Sequence, residues 1–331
     1  MSEASRRWLL RSRPVGMLKE SDFELCEAEI PRPAPNQVLV RNLYLAFEPA
    51  MRGWMTERPG YMPPIALGEV MRGMTVGRVL ESRREGFRPG DLVSCMGGWQ
   101  EHALADERLS KLLPGVEPAL ALSVLGITGL TAYFGMLDVG RPRAGETVVV
   151  SGAAGATGSV AGQIARLEGC RVIGIAGGPG KCGWLGSEAR FDATIDYKSE
   201  DVRERLAALC PDGVHVYFDN VGGPLLDEVL RRITRGARVV LSGAISSYNL
   251  GKPPPGLRNY LALLMRSARM EGFLVFDYAS RFEEAQRKLA ALVAEGEIAW
   301  RVDVQEGFEN APQTFLRLFR GDNLGKQLLL L

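Results

Sequence analysis

Five uncharged residues rich in β-branched side chains, Thr147-Val148-Val149-Val150-Ser151, lead into seven small ones, Gly152-Ala153-Ala154-Gly155-Ala156-Thr157-Gly158. Apolar side chains at helical spacing follow: Val160, Ile164, Ala165 and Leu167. The uncharged run predicts a strand buried on both faces of a parallel sheet. Strand, tight turn and helix in that order are the context in which a glycine fingerprint reads as a dinucleotide site. Gly155, lacking a Cβ, lets the backbone approach a pyrophosphate, and Gly158 lets the helix close on the strand. N–H groups and the dipole at the helix start suit an anion. Ala154, Gly155, Ala156, Thr157 and Gly158 are therefore candidate cofactor-binding residues. Ala153 occupies the place of the first glycine in the common Gly-x-Gly-x-x-Gly pattern. The string alone therefore leaves open a turn that packs a helix and binds nothing.

From Glu146 onward the pattern alternates. Strands are predicted over 148–151, 171–176, 193–195, 214–219, 237–242 and 270–275. Helices are predicted over 159–168, 201–209, 225–233 and 257–266, with an amphipathic one over 280–295. That rhythm predicts a doubly wound parallel sheet, hence an α/β fold. Residues 6–115 instead show short alternating runs (23–30, 37–45, 75–80, 91–95) punctuated by Pro and Gly, which predicts an antiparallel or barrel-like β-rich domain. A helical stretch over 118–137 links the two, and 301–331 read as short strands around one helix that return to the first domain. The expected division is 1–120 with 300–331 as the β-rich substrate domain and 121–299 as the nucleotide-binding domain.

A chain of 331 residues is long for one core, which agrees with two domains. The formal net charge of +1 supplies no global field for nucleic acid or an anionic membrane, so neither is an expected partner. No apolar run approaches the ~20 residues of a membrane span. Trp8-Leu9-Leu10 is too short for the core of a signal peptide. The five cysteines (Cys26, Cys95, Cys170, Cys182, Cys210) form no Cys-x-x-Cys, which points to a reduced, cytoplasmic protein with mostly inert thiols.

Dinucleotide folds usually end their second strand in an acid that binds the ribose 2′-OH. Here that strand ends in Ala176-Gly177-Gly178, with Lys181 shortly after. A missing acid and a nearby cation suit a 2′-phosphate, so the expected cofactor is NADPH/NADP. Taken alone, Lys181 reads equally well as a solvated surface lysine; Arg190 is a second candidate cation.

The order of a β domain followed by a dinucleotide domain resembles the medium-chain dehydrogenase/reductase superfamily, and within it the zinc-independent alkenal/one reductase family of leukotriene B4 12-hydroxydehydrogenase/prostaglandin reductases and plant double-bond reductases. Almost the whole chain takes part. The residues that carry the resemblance are 40–45 and Glu48-Pro49-Ala50-Met51-Arg52-Gly53, then 145–160, then Phe218-Asp219-Asn220-Val221-Gly222-Gly223. Ser242-Gly243-Ala244-Ile245-Ser246 with Tyr248-Asn249, 271–276 and Gly321-Asp322-Asn323-Leu324-Gly325-Lys326 complete the set. The resemblance implies a GroES-like first domain and a Rossmann second domain. It implies that Lys181 and Tyr197 hold the 2′-phosphate, that Asn220, Ser242 and Phe276 lie along the nicotinamide half, and that Asn323 contacts it from the C-terminal segment. Tyr248 falls at the position whose phenol lies near the substrate carbonyl. Where the family commonly has Asp-Pro-Tyr-Met-Arg this chain has Ala50, which implies a larger or reshaped substrate pocket around Ala50, Met51 and Tyr248. Met51, Trp54, Met55, Tyr61 and Met62 read either as an apolar pocket wall or as core.

A catalytic zinc needs three Cys, His or Glu ligands. The zinc-dependent relatives carry Gly-His-Glu where this chain has Gly68-Glu69, and His102 and His215 both read as strand residues, so no metal is expected. The reaction left is one whose substrate is already electrophilic: hydride addition to the β-carbon of an α,β-unsaturated aldehyde or ketone, with Tyr248 and, as the resemblance implies, the nicotinamide ribose 2′-OH as candidate donors to the carbonyl oxyanion, and either Tyr248 or water protonating the α-carbon. Quinone reduction and a non-catalytic NADPH-binding role are the alternatives. The resemblance implies a homodimer joined through edge strands near 237–242 and 270–275.

Overall fold

The computed structural model describes residues 4–57, 60–105 and 109–331. The chain divides into two units, Met1–Leu122 with Val302–Leu331, and Ser123–Arg301.

In the first unit, β1 (Ala4–Leu10) and β2 (Phe23–Glu29) form an antiparallel ribbon. The main sheet contains β3 (Val38–Ala46), β4 (Thr75–Ser82), β5 (Leu92–Cys95) and β7 (Ser110–Lys111) in that spatial order, with β6 (His102–Ala105) also on β3. Alternation along these strands turns Val38, Val40, Val79 and Val93 into one core. Between β3 and β4 lies a one-turn helix, α1 (Met51–Trp54), and α2 (Pro118–Leu122) closes this part of the chain.

The second unit starts with α3 (Ile127–Phe134), which continues into a π-helical turn, Gly135–Gly140. The helical stretch expected over 118–137 is thus two helices, α2 and α3. Gly126 is extended at the start of α3, and Thr128 Oγ1 donates back to the Ser123 carbonyl at 3.0 Å, which fixes the break. Then come β8 (Thr147–Ser151), α4 (Ala156–Leu167), β9 (Arg171–Ala176), α5 (Pro179–Ser187) and β10 (Ala193–Asp196). They are followed by α6 (Val202–Leu209), β11 (Val214–Asp219), α7 (Gly223–Leu230), β12 (Ile233–Leu241), α8 (Ile245–Tyr248), α9 (Leu261–Met265), β13 (Arg269–Gly272) and α10 (Phe282–Ala294). The six strands are parallel, in the order β10-β9-β8-β11-β12-β13, the doubly wound arrangement with the first strand at the centre. Every residue of β8 is buried, as its uncharged composition requires.

Four expectations need correction. The stretch ending at Ile233 is helical only to Leu230, and Ile233 already opens β12. Only Leu261–Met265 of 257–266 is helical, because the chain leaves a proline run just before it. α5 was not expected at all. Finally, β12 pairs with a strand on each side, so residues 237–241 are interior and β13 alone is the edge on that side.

The chain then adds β14 (Val302–Glu306), α11 (Ala311–Arg320) and β15 (Lys326–Leu330) to the first unit: β15 runs antiparallel to β3, and β14 parallel to β15. Phe315 of α11 stacks on Phe47 at 6.0 Å and meets Trp99 edge-on at 5.5 Å, so an aromatic cluster joins distant parts of the sequence in one core.

In the second unit, Arg238 of β12 pairs with Glu146 (Nη2–Oε2, 2.5 Å) and also donates to the Gly140 and Arg141 carbonyls, clamping the π-helical turn. Burial pushes the Glu146 carboxyl up, but Arg238 and the Arg143 N–H outweigh it and hold the group below its ordinary range. A carboxyl depressed in the folded state contributes stability above its unfolded pKa and loses it as pH falls through the folded value. Glu146→Gln is therefore expected to lower stability by roughly 1–3 kcal/mol at neutral pH, with the deficit shrinking below about pH 4. Urea titrations of both proteins at pH 7 and pH 3.5 check this; an equal deficit at both values would refute it.

Candidate functional site

The expected site residues of the second unit fall at the carboxyl edge of the parallel sheet, where open α/β sheets bind their ligands. Ala154 and Gly155 follow β8, and Ala156, Thr157 and Gly158 form the first turn of α4. The N-cap of α4 is Gly155, with no side chain to fold back over that turn. A Cβ at Gly158 would sit 2.4 Å from the Gly152 carbonyl oxygen and 2.9 Å from Ala153 Cα, so helix and turn approach as closely as only glycine permits.

The next loop belongs to β9. Lys181 is the third residue of α5, half-buried just after the Ala176-Gly177-Gly178 turn. Tyr197, following β10, lies over the same turn: a Cβ at Gly177 would be 2.9 Å from the Tyr197 hydroxyl and 3.0 Å from Lys198 Cε. One carboxylate does reach this turn, Asp196, which the sequence did not reveal because it ends the neighbouring strand. Its oxygens accept from the Gly178 N–H (2.8 Å), the Lys198 N–H (3.0 Å) and Ser199 Oγ (2.9 Å), and the two backbone bonds hold it below the ordinary carboxylate range. Arg190 does not belong here. It lies beyond the far end of α5, with its guanidinium 3.9 Å from Glu297.

Asn220 follows β11, Ser242 follows β12, and Phe276 follows β13 and is 42% exposed. Asn220 Nδ2 donates to the Ser151 carbonyl at 2.7 Å, and the Ser242 N–H donates to the Asp219 carbonyl at 2.9 Å. Tyr248 closes the turn after β12: its hydroxyl accepts the Ala244 N–H at 3.1 Å. Among the described residues the hydroxyl makes this one bond, which uses a lone pair and leaves its proton to donate.

The residues expected from the first unit behave differently. Ala50 is the half-buried N-cap of α1. Met51 is fully buried among Leu45, Phe47 and Trp99, so it is core rather than pocket lining; Trp54 and Met55 share that core. Asn323 is half-buried and donates to the Gly325 carbonyl at 2.9 Å. Sequence reading missed the pair that fixes the Ala50 loop. Lys326, 1% exposed, donates to Glu48 Oε1 (2.5 Å) and to the Phe47 carbonyl (3.1 Å). At the other end of the loop, buried Arg52 donates to the carbonyls of Pro14 and Gly16. Both cations lay within motifs quoted above, but nothing in a linear pattern marks a lysine or arginine as buried.

His102 Nδ1 lies 3.1 Å from Ser5 Oγ, and His215 Nδ1 accepts the Thr147 N–H at 3.1 Å. Among the described residues no three His, Cys, Asp or Glu stand together to hold a metal. The donor set does not fit a catalytic zinc. The glycine-only approach at Gly158, the capless start of α4 and the cationic turn beside Gly177 do fit a dinucleotide with a 2′-phosphate.

A β-rich unit preceding a doubly wound unit with this carboxyl edge defines a medium-chain dehydrogenase/reductase. Residues 6–112 match the family model for the N-terminal domain of oxidoreductase, and residues 156–291 match the one described as zinc-binding dehydrogenase. The chain is 42% identical over 335 residues to the NADPH-dependent curcumin reductase of Escherichia coli (strain K12), spanning 99% of this chain and 97% of that one. It is 38% identical over 335 residues to the 2-alkenal reductase (NADP(+)-dependent) of Nicotiana tabacum, with 99% and 97% spanned. The crystal structure of CurA in complex with NADPH from Vibrio vulnificus aligns with a TM-score of 0.94 at 41% identity over 98% of each chain. The chain belongs to the zinc-independent alkenal/one reductase family of the medium-chain dehydrogenase/reductases.

Proposed function

We propose that this chain, an NADPH-dependent reductase of the alkenal/curcumin/prostaglandin reductase type, reduces the C=C bond of α,β-unsaturated aldehydes and ketones. The coenzyme's pyrophosphate would be held by Ala154–Gly158, its 2′-phosphate by Lys181 and Tyr197, and its nicotinamide half by Asn220, Ser242 and Phe276. Bound there, NADPH supplies the hydride that the substrate's β-carbon takes up. The protein's own task is to meet the negative charge that this leaves on the carbonyl oxygen. A preorganised hydrogen-bond donor does this. Tyr248 is that donor, and the observation that carries the reading is its bond from the Ala244 N–H, which holds the hydroxyl at the end of β12 with its proton available. Protonation of the α-carbon comes from Tyr248 or from water. Ala50, small where the family has tyrosine, widens the substrate pocket.

The test is NADPH oxidation with a medium-chain 2-alkenal, an aryl enone and a quinone, with the products identified by mass spectrometry. The expected product is the saturated carbonyl compound. Turnover with the quinone alone, or NADPH binding without any turnover, would overturn the assignment.

A homodimer is part of this reading. β13 is an open sheet edge, and close to it in sequence α9 exposes Leu264 (74%) and Met265 (79%), an apolar surface that a second copy would cover. Size-exclusion chromatography with light scattering is expected to give twice the chain mass; a monomer would refute it.

A further inference from the structure

The middle of the parallel sheet holds a buried acid that the mechanism above leaves unused. Asp219, the last residue of β11, is fully buried. Its Oδ1 accepts from Ser151 Oγ (2.8 Å), the Tyr217 hydroxyl (2.9 Å) and the N–H groups of Val221 and Gly222 (3.0 Å each), and its Oδ2 accepts from the Gly222 N–H (3.1 Å). Its backbone carbonyl takes the N–H groups of Ser242 and Gly243. Ser151 in turn accepts from Asn220 twice, the backbone N–H on Oγ at 2.9 Å and the side-chain amide on its carbonyl at 2.7 Å. Tyr217 is fully buried, and burial together with the Asp219 charge holds its phenol protonated, fit only to donate to that carboxylate.

A carboxylate removed from water is costly unless every lone pair is satisfied, and a buried apolar residue would serve a sheet core as well or better. The place of this acid is therefore informative. Ser151 ends β8 and Asp219 ends β11, the two strands on either side of the point where the strand order reverses. The crevice that receives a dinucleotide lies outside the carboxyl ends of that pair. The network ties the ends of β8, β11 and β12 together there. It commits the Asn220 amide nitrogen to Ser151 and so leaves the Oδ1 of Asn220 for a ligand.

We infer that Asp219 is a positioning residue for the coenzyme: acting through Ser151 and the Asn220–Gly222 turn, it sets Asn220 and Ser242 to receive the nicotinamide half of NADPH. The inference rests on the coenzyme assignment above. It requires Asp219 to matter more for the nicotinamide half than for the adenosine half, because the network bonds the Asn220–Gly222 turn and Ser242 directly, whereas the 2′-phosphate turn belongs to β9 and β10. In Asp219→Asn an NH2 group replaces an acceptor among groups that all donate, which disorders the network without removing its volume. Ser151→Ala is a smaller lesion that keeps the carboxylate, for use if the first variant does not fold.

Dissociation constants for NADPH and for adenosine 2′,5′-bisphosphate, which lacks the nicotinamide half, are to be measured by calorimetry on the full chain. Asp219→Asn is expected to weaken NADPH roughly ten- to a hundredfold and the bisphosphate less than about twofold. Ser151→Ala is expected to show the same split at smaller size. Equal weakening of both ligands would mean general damage to the fold, and unchanged NADPH affinity would mean no role; either overturns the inference. Wild-type protein that bound neither ligand would instead overturn the coenzyme assignment, and this inference with it.

Discussion

Replacing Tyr248 by Phe is expected to lower kcat for enone reduction about ten- to a hundredfold while NADPH affinity stays within about twofold. The variant keeps the ring and removes one oxygen. That oxygen accepts the Ala244 N–H at 3.1 Å, and its proton is the donor assigned to the substrate carbonyl. A neutral donor facing a developing oxyanion gains strength as charge accumulates, so its loss raises the barrier more than it weakens substrate binding, and kcat should fall more than KM rises. The stranded Ala244 N–H could also loosen the turn. NADPH binding reports on that, because Ser242 is anchored to Asp219 at the start of the same turn. An unchanged kcat would remove Tyr248 from the chemistry. A loss confined to coenzyme affinity would make it a loop-holding residue.

The sheet was legible where side-chain chemistry left one option. The runs 171–176 and 214–219 have the bounds of β9 and β11, because six residues rich in β-branched or aromatic side chains between turn residues are too short for an ordinary helix and suit a buried strand. α5 was missed for the opposite reason. Gly180, Gly183 and Gly186 lower its helix propensity, and only Trp184 and Leu185 are buried to hold it, so packing overrides the local preference. The site divides in the same way. Carboxyl-edge positions follow from where strands end, which the sequence does show. Asp219, Asp196 and the Lys326–Glu48 pair are defined by partners on other strands and by burial, and Met51 by packing, which no spacing within one segment encodes.

Lys181→Ser is expected to raise KM for NADPH about ten- to a hundredfold and to leave KM for NADH unchanged, the span of one charge-assisted hydrogen bond to a phosphate. Two features of the turn after β9 support this expectation. It ends in Gly177-Gly178 rather than in an acid, and the nearby acid, Asp196, is tied to the loops themselves by the Gly178 and Lys198 N–H groups on Oδ1 and by Ser199 on Oδ2. A ribose 2′-OH would find no acid at the end of β9 itself, whereas a 2′-phosphate at this turn would meet Lys181 at the first turn of α5 and Tyr197 across Gly177. Because Lys181 is only half-buried, its attraction to phosphate is open to screening. KM for NADPH in the wild type should therefore rise with salt, KM for NADH should not, and the variant should have lost most of this salt dependence. Equal losses for both coenzymes would assign Lys181 to the fold of α5 rather than to the phosphate; no loss for NADPH would return it to the solvated surface and leave the preference to Tyr197 and to the absent acid.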